Sequence, residues 1–565
     1  MGVNIMNDKK SDNYSILRQL MNKSRRWKLP LQADYIILYT FLYKYCSDIV
    51  KDFLFFSLQS MELTIDEAYK NTEFQQELVF DSLKLNGFYI KNSNAFIEEV
   101  VTDYTKPDFL PGFLKRFKEE IIFNSESHKL EYFDELFKII DDEIDTSEFD
   151  SQETENICEI INLISKLNAL DFDFAFKNVF DIVSLSHLMH VNTNPEYVTQ
   201  ILSSIVSSEK QAADEVYDPF IKNGSSILYL NESMDFNINY YYGKDESKLN
   251  YIYTIIRFFI NGLSLNKVFL KQEDALDSID INATSFDVIL SRIPIAIKNY
   301  YSSNINQNME ISKRNKRNEL ENLLLDKFGM DEDSFKQDAE LNMALENLVE
   351  KIEIDNNSMD FTGEFESLKD SEFLFLINLI DSLKTDGIMA ISISENFLFK
   401  NSLETLRKYL SYKKNYIDTI IRIPNEFVRS RPEVVIVFRK NKTSDDILFI
   451  DMSVDYNTQK SGLIFPGLFR KNMILNSETI SKMENVFSNR LTFPKYSNLI
   501  SLDEIKENNF NLSVSRYVDT FEGEFISLND LVEEKREIES DINDLNLKIE
   551  KMMDELDIHI KGHCQ

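Results

Sequence analysis

The stretch YDPFIKNGSSIL, Tyr217 to Leu228, places an acid, a lysine and one glycine in a turn after the first candidate strand. Longer helical stretches separate the short apolar runs that follow it. These runs lie at 286–290, 387–393, 417–424, 433–440 and 446–453. Strands that alternate with helices indicate a mostly parallel sheet with ligands at the carboxyl ends of its strands. We therefore predict an α/β fold with a doubly wound sheet, in which this turn follows the first strand.

Length and charge limit the classes of function. The chain has 565 residues, 43% of them hydrophobic, so it can bury about three or four cores. Its 62 basic and 95 acidic residues give a net charge of −33. That balance excludes a global attraction to nucleic acid or anionic lipid, so any DNA contact must be local.

The distribution of helix-like and strand-like patterns along the sequence predicts that the chain has three parts. Residues 1–180 read as a helical domain, 181–455 as the α/β domain with a helical insertion at 299–370, and 456–565 as a tail with a coiled-coil helix at 526–560. The apolar seam of that helix is Leu531, Ile538, Ile542, Leu545, Ile549, Met552 and Leu556. It can pack on its own chain or on a partner subunit.

Cysteine and histidine are sparse. Cys46, Cys158 and Cys564 cannot form a disulfide framework, and a reducing cytosol fits them best. The apolar stretches fall short of the ~18 residues of a membrane span, and the first residues lack the layout of a signal peptide. We expect a cytoplasmic protein with no membrane span and no metal site.

Polar residues follow the strands in the order of a nucleoside site. The turn at Asp218 would accept the charged part of the ligand, and Asp245 or Glu246 after the second strand would accept the ribose hydroxyls. Asp274 after the third strand could accept from an adenine amino group. The loop after the fourth strand would lie above the reaction centre. Each acid alone could equally cap a helix, so their order carries the prediction.

These segments resemble the modification (M) subunit of type I restriction–modification systems, a family of S-adenosylmethionine-dependent, adenine-specific DNA methyltransferases. YDPFIKNGSSIL is similar to the family's DPACGSGG cofactor loop, and FDVILSRIPI (286–295) is similar to its catalytic FDVILANPPF. Further similar segments are ADYIILYTFLYKYCSD (33–48), NTNPEYV (192–198), YGKDESKLNY (242–251), a stretch at 370–399 and IKENNFNLSVSRYVDT (505–520).

The resemblance implies a methyltransferase fold, a cofactor and partners. It assigns S-adenosylmethionine to one set of positions: Asn192, Pro195, Asp218, Asn223, Gly224, Asp245 and Asp274. It implies that DNA sequence is chosen by a separate specificity subunit, gripped partly through the C-terminal helix. A restriction subunit could join the same hetero-oligomer.

The catalytic segment departs from the family pattern. In the family, an Asn oxygen and a Pro carbonyl accept hydrogen bonds from the adenine amino group, and an aromatic ring stacks on the flipped base. Here the degraded catalytic positions are Arg292, Ile293, Pro294 and Ile295. Arginine has five donors and no acceptor, and Ile295 loses roughly 1–3 kcal/mol of stacking. We therefore predict weak or lost catalysis.

The cofactor loop departs as well. Lys222 replaces the first glycine and Ser225 a later one, which leaves Gly224. A β-carbon at positive φ costs roughly 1–3 kcal/mol, and Lys222 adds a cation near the sulfonium. Arg292 could have gained a role, such as gripping a phosphate or filling the cofactor site beside Asp218 and Asp245. Simple decay is the other possibility.

A local basic patch would provide the DNA contact. Lys313, Arg314, Lys316 and Arg317 could neutralise a few phosphates, or could be ordinary exposed charge. The first hypothesis is thus a type I M-like DNA methyltransferase subunit. The alternative is a non-catalytic pseudo-methyltransferase that serves a defence complex as a DNA-binding module or scaffold. A third class is an unrelated nucleotide-binding regulator on the same sheet.

Overall fold

Two units make up the chain, Met1–Val518 and Asp519–Gln565. The insertion predicted at 299–370 lies outside the described residues, and the three-part division of the chain remains a prediction. The computed structural model describes residues 13–23, 27, 29–59, 61, 63–124, 130–171, 175–185, 189–191, 194–233, 237–275, 285–293, 371–424, 432–453, 475–520 and 528–555.

Helices dominate the N-terminal part of the first unit, as predicted. They are α1 (13–23), α2 (Gln32–Gln59), α3 (Ile65–Lys70), α4 (Thr72–Leu85), α5 (Ile97–Val100), α6 (Phe109–Glu120), α7 (Leu130–Glu143), α8 (Ser151–Ser165) and α9 (Phe176–Leu185). The prediction omitted one antiparallel pair of short strands, β1 (Phe88–Ile90) and β2 (Ile121–Phe123). Three residues per strand are too few to give a readable alternation.

Aromatic residues hold this helical region together. Tyr43 of α2 stacks on Phe117 of α6 with ring centroids 4.2 Å apart, and Tyr39 meets the same ring edge-on at 5.4 Å. Such pairs stabilise by about 0.5–1.5 kcal/mol beyond the burial of their area. Within the described residues, no helix combines the length and the apolar character that a bilayer crossing requires.

A nine-stranded sheet follows. Its strands are β3 (Ala212–Asp218), β4 (Asn237–Asp245), β5 (Val268–Gln272), β6 (Phe286–Arg292), β7 (Leu383–Ser394), β8 (Ile417–Arg422), β9 (Glu433–Arg439), β10 (Ile447–Asp451) and β11 (Ser497–Ile500). Their spatial order is β11-β10-β8-β9-β7-β6-β3-β4-β5. Neighbours from β5 to β7 pair in parallel, as do β8 and β10, whereas β9 and β11 run antiparallel to their neighbours.

Helices cover both faces of this sheet, which confirms the predicted doubly wound α/β fold. Side chains alternate along each strand, so that Val288 and Leu290 of β6 enter one core and Ile289 enters the other. The helices after α9 are α10 (Glu196–Glu209), α11 (Ser225–Glu232), α12 (Lys248–Ile260), α13 (Ser371–Ser382), α14 (Glu404–Lys408), α15 (Ser477–Asn489), α16 (Leu502–Glu507) and α17 (Val514–Tyr517). Apolar residues of α10, α11 and α12 belong to the first core, and those of α13 belong to the second.

The helical region packs against one edge of the sheet. Tyr132 of α7 donates a hydrogen bond to the carbonyl of Val268 at 2.9 Å and accepts one from the N–H of Leu270 at 2.8 Å. Both partners belong to β5, one of the two outer strands of the sheet. A side chain thus satisfies backbone groups that an edge strand would otherwise leave unpaired.

The second unit contains the helix α18 (Leu528–Glu555), which lies within the helix predicted at 526–560. Its apolar residues are half exposed: Ile538 by 53%, Ile542 by 50%, Leu545 by 56% and Ile549 by 52%. These four keep the 4-3-4 spacing of a coiled-coil seam. Pairing with another helix remains a prediction.

Candidate functional site

Three predicted site residues end neighbouring strands of the sheet. Asp218 is the last residue of β3, Asp245 of β4 and Arg292 of β6. Because these strands are parallel, their carboxyl ends meet at one edge. Ser291 of β6 donates a hydrogen bond from Oγ to Asp218 Oδ1 at 2.7 Å, which joins the two strands there. The structure therefore brings the three residues together.

Asp218 is completely buried below the turn. Its Oδ1 also accepts from the N–H of Phe220 at 3.2 Å, whereas Oδ2 makes no direct hydrogen bond within the described residues, although the Ser226 hydroxyl is near enough to oppose the rise in the pKa of the carboxyl. Burial raises the pKa of this carboxyl to about 6, and the bond from Ser291 opposes the shift. An uncompensated buried acceptor is costly, and a polar ligand group would relieve that cost.

Asp245 is a buried carboxylate at the end of β4, where the sequence predicts a ribose-binding acid. Its carboxylate accepts from the N–H of Ser247 at 2.8 Å and from Nδ2 of Asn250 at 3.2 Å, so its orientation is fixed. Burial raises its pKa to about 6 as well. The alternative acid, Glu246, is exposed. Asp245 is therefore the better candidate for this role.

Two residues of the turn after β3 have positive φ, and only one of the two departures from the family pattern is among them. Lys222 has a φ of +49°, in the left-handed region, and Gly224 has a φ of +69°. A β-carbon on Gly224 would lie 2.4 Å from Cε1 of Phe258, so glycine is required there. Ser225, by contrast, begins α11 in ordinary helical conformation, and its β-carbon causes no such strain. The strained substitution is thus Lys222.

Arg257 of α12 supports this turn, which sequence reasoning did not detect. Its buried guanidinium donates to the carbonyl of Asn223 at 2.7 Å and to Oγ of Ser225 at 2.8 Å. The same group pairs with Asp181 of α9 through bonds of 2.8 and 2.9 Å. Where the family pattern has a glycine, Ser225 therefore supplies a hydroxyl that accepts a hydrogen bond from Arg257.

Lys222 places an ammonium among the charges of the site. Burial lowers its pKa to about 8, and Arg292 adds to that effect. Asp218, Glu433 and Asp245 face it and act in the opposite direction. The strand ends with Asp218 and Asp245 therefore have a cation beside them.

Arg292 points to a partner outside the cofactor residues. Its Nε donates to Glu433 Oε2 at 2.9 Å and its Nη2 to Oε1 at 2.5 Å, and Ser392 also donates to this carboxylate at 2.9 Å. Glu433 is the first residue of β9 and reaches the same edge because that strand is antiparallel. The guanidinium thus pairs with Glu433 at the edge where Asp218 and Asp245 end their strands.

The structure says less about the remaining predicted site residues. Pro195 precedes α10, and Asp274 follows β5 by two residues and is half-buried. Asn194, which the sequence did not single out, is buried with both side-chain polar atoms unpaired in the described structure. Several predicted residues lie outside the described ones: Asn192, Pro294, Ile295, Lys313, Arg314, Lys316 and Arg317. No cluster of metal-ligating side chains occurs in the ranges described.

The residues fit the nucleoside part of the expected cofactor. Asp245 offers a fixed carboxylate, and Asp218 Oδ2 and Asn223 Oδ1 are buried acceptors without partners in the described chain. Lys222 and Arg292 bring two cations to the same edge, whereas Asp218, Asp245 and Glu433 bring three carboxylates, one of which pairs with Arg292. The charges at this edge therefore do not exclude a positively charged ligand.

Comparisons with known proteins agree with the motifs. Residues 331–524 match the N-6 DNA Methylase family. The chain is 20% identical over 538 residues to the methylase subunit of the type I restriction enzyme MpnII of Mycoplasma pneumoniae, covering 87% of this chain and 88% of that one. It is 29% identical over 180 residues to the methylase subunit of the type I restriction enzyme MjaVII of Methanocaldococcus jannaschii, covering 31% and 29% of the two chains.

The fold agrees as well. The crystal structure of a type I restriction–modification methyltransferase subunit from Streptococcus thermophilus superimposes with a TM-score of 0.64 at 19% identity, over 90% of this chain and 100% of that one. The predicted resemblance is confirmed. In sequence and in fold, this chain is similar to the methylase subunits of type I restriction enzymes.

Proposed function

We propose that the chain is the modification-type subunit of a DNA-modifying assembly, and that its own methyl transfer to adenine is weak or lost. One observation carries the second part: the guanidinium at the end of β6 is held by both oxygens of Glu433. By resemblance, Arg292 stands where the reaction needs an acceptor for the adenine amino group. A guanidinium has no acceptor atom, and its pairing with Glu433 stabilises it in this position.

The proposed chemistry follows from what each side chain can do. S-adenosylmethionine would supply the methyl group, with Asp245 accepting the ribose hydroxyls and Gly224 allowing the close approach of the backbone. Without an acceptor at position 292, the amino nitrogen of adenine is not made more nucleophilic. Removal of one preorganised hydrogen-bonding group typically slows catalysis by about 10²–10³-fold.

The partners are proposed from the relatives and from charge. The relatives are named as subunits of restriction enzymes, so we propose a hetero-oligomer with a specificity subunit, and with a restriction subunit in the full assembly. The exposed apolar face of α18 would contact the specificity subunit. With a net charge of −33, DNA would be held locally, by Lys313, Arg314, Lys316 and Arg317, and through the partners.

A non-catalytic role as DNA-binding scaffold is the limiting case of this proposal, and the Arg292–Glu433 pair favours it.

Of the three cysteines, the two that lie in the described ranges, Cys46 and Cys158, are buried thiols, in keeping with a cytoplasmic location. In this proposal, the predicted helical part is a scaffold, the α/β part carries the nucleoside site, and the C-terminal part docks the partner subunit.

The test uses the full chain with and without a candidate specificity subunit. Calorimetric titration with S-adenosylmethionine measures cofactor binding, and transfer of a labelled methyl group to DNA measures catalysis. We expect DNA binding by the assembled complex and transfer close to background. Fast transfer by the unaltered chain would overturn the claim of lost catalysis. Failure to assemble with any specificity subunit would overturn the claim of a modification-type subunit.

A further inference from the structure

The guanidinium of Arg257 connects two parts of the chain. Its Nε and Nη2 donate to the two carboxylate oxygens of Asp181 in α9, at 2.8 and 2.9 Å. Its Nη1 donates to the carbonyl of Asn223 at 2.7 Å and to Oγ of Ser225 at 2.8 Å, both in the turn after β3. A guanidinium is planar and rigid, so two bonds on one side fix the direction of the donors on the other. Arg257 therefore joins α9 to the turn.

A second side chain of α12 holds the same turn. Thr254 Oγ1 donates to the carbonyl of Lys222 at 2.6 Å, so the carbonyls of Lys222 and Asn223 both point toward α12. In a planar trans peptide the C=O and the following N–H point to opposite sides, so the N–H of Asn223 points away from α12. These contacts therefore determine which backbone groups the turn presents to a ligand.

Asp181 is itself held in place by the helical region. The ring of its neighbour Phe180 is buried and stacks on Tyr253 of α12 with centroids 5.0 Å apart. The same ring meets Phe41 of α2 edge-on at 5.3 Å. The Tyr253 hydroxyl also donates to Asp181 Oδ1 at 3.2 Å. The carboxylate that Arg257 contacts therefore has a fixed position.

Arg257 depends on the charge of Asp181. Its side chain is 11% exposed, whereas that of Asp181 is 30% exposed. The turn supplies a carbonyl and a hydroxyl, which are uncharged, and Asp181 supplies the negative charge. A buried cation that loses its counter-ion is strongly disfavoured. Loss of the Asp181 charge would therefore draw the guanidinium toward water and away from the turn.

We propose that Asp181 is a positioning residue of the nucleoside site: through Arg257 it holds the turn with Asn223 and Gly224 in the conformation that binds a nucleoside. The inference rests on the nucleoside site of the proposed function, but not on methyl transfer or on DNA. It makes ligand binding at the strand ends depend on how the helical region packs.

The first experiment is calorimetric titration of the full chain with S-adenosylmethionine, with urea unfolding to show that each variant is folded. Asp181→Asn should weaken binding about tenfold, the effect of losing one charged hydrogen bond. Asp181→Glu keeps the charge at a partly exposed position and should bind within about threefold of the unaltered chain. Arg257→Lys should also lose at least about tenfold, because an ammonium cannot bridge α9 and the turn.

The double variant shows whether Asp181 acts through Arg257. If it does, Asp181→Asn should cause no further loss of affinity in a chain that already carries Arg257→Lys. Glu143→Gln is the matched control, since Glu143 of α7 also pairs with α12, through Lys248 at 2.6 Å. That pair does not contact the turn, so the control should bind within about twofold of the unaltered chain.

Hydrogen exchange tests the same link without a substitution. S-adenosylmethionine should slow exchange of the backbone amides in the turn at 219–228 and also in α9, because binding at one end of a coupled pair stabilises the other. Exchange in α6 should not change. Asp181→Asn should in turn speed exchange in the turn by about tenfold or more.

The outcomes separate the inference from the proposed function. Affinity that Asp181→Asn leaves unchanged, or exchange in α9 that the ligand leaves unchanged, would overturn the inference and leave the nucleoside site standing. An equal loss in Glu143→Gln, or additive losses in the double variant, would also overturn it. Absence of binding by the unaltered chain would overturn the nucleoside site together with the inference, and assembly with the specificity subunit would still test the subunit role.

Discussion

Arg292 at the end of β6 and Glu433 at the start of β9 are 141 residues apart in sequence and form a bidentate ion pair in the fold. The carboxylate is largely buried and accepts a third bond from Ser392. In the proposed function, this arrangement places a neutralised cation at the position where an acceptor would be needed for chemistry on adenine.

The ion pair should contribute to stability. Arg292→Asn leaves Glu433 buried without its guanidinium, and we expect the free energy of unfolding to fall by about 3 kcal/mol. Arg292→Asn combined with Glu433→Gln removes both charges and should recover about half of that loss. Urea unfolding measures both. Lys106→Gln, which breaks an exposed pair with Asp103, is the control and should cost at most about 0.5 kcal/mol. If Lys106→Gln and Arg292→Asn lower the free energy of unfolding equally, the pair of Arg292 with Glu433 does not stabilise the fold as a buried ion pair would.

Gly224 should tolerate no side chain. Gly224→Ala places a β-carbon 2.4 Å from the Phe258 ring at a φ of +69°, so we expect a loss of about 3 kcal/mol. Gly262 has a φ of +75° but open space around it, and Gly262→Ala should therefore cost only about 1 kcal/mol. Thermal or urea unfolding of the two variants separates the clash from the backbone strain. Similar losses at the two positions would refute the close approach at Gly224.

Asp218 should make stability depend on pH. Its pKa is raised to about 6, so the folded state holds a proton that the unfolded state has released, and this stabilisation is lost as the pH rises through about 6. Relative to Asp218→Asn, the unaltered chain should lose about 1–1.5 kcal/mol between about pH 5 and about pH 8. Urea unfolding at the two pH values gives the difference. A difference that is independent of pH would mean that the carboxyl is not perturbed.

The apolar face of α18 should be needed for assembly. Ile542→Asp with Ile549→Asp puts two charges on that face, and we expect co-purification with a specificity subunit to be lost. Both side chains are half exposed, so the stability of the chain should change by less than about 0.5 kcal/mol. Asp544→Asn lies off the seam and should leave the complex intact. An unchanged complex with the double variant would exclude α18 as the docking segment.

The sheet was predictable where its strands are continuous apolar runs. The runs at 286–290, 387–393 and 433–440 became β6, β7 and β9, because strands buried on both faces leave few polar positions. The short edge strand β11 and the pair of β1 with β2 were not predictable. Three or four residues carry too little pattern, and their pairing depends on distant parts of the chain.

The positions of the site residues at the ends of strands could be predicted from the sequence, but the side chains that pair with them could not. Asp218, Asp245 and Arg292 could be placed because each follows a recognisable motif. Glu433 and Arg257 could not, since their roles depend on the antiparallel direction of β9 and on the packing of α12 below the turn. A signal for Glu433 was present: a charged residue at the start of an otherwise buried strand.

We propose that the Arg292–Glu433 pair blocks the catalytic position of this modification-type subunit. The most direct measurement is transfer of a labelled methyl group to DNA by the assembled complex, with the unaltered chain and with Arg292→Asn, Glu433→Gln and Ile295→Phe combined. We predict background transfer by the unaltered chain and measurable transfer, at least about 100-fold higher, by the triple variant. Rapid transfer by the unaltered chain that the three substitutions abolish would contradict the account.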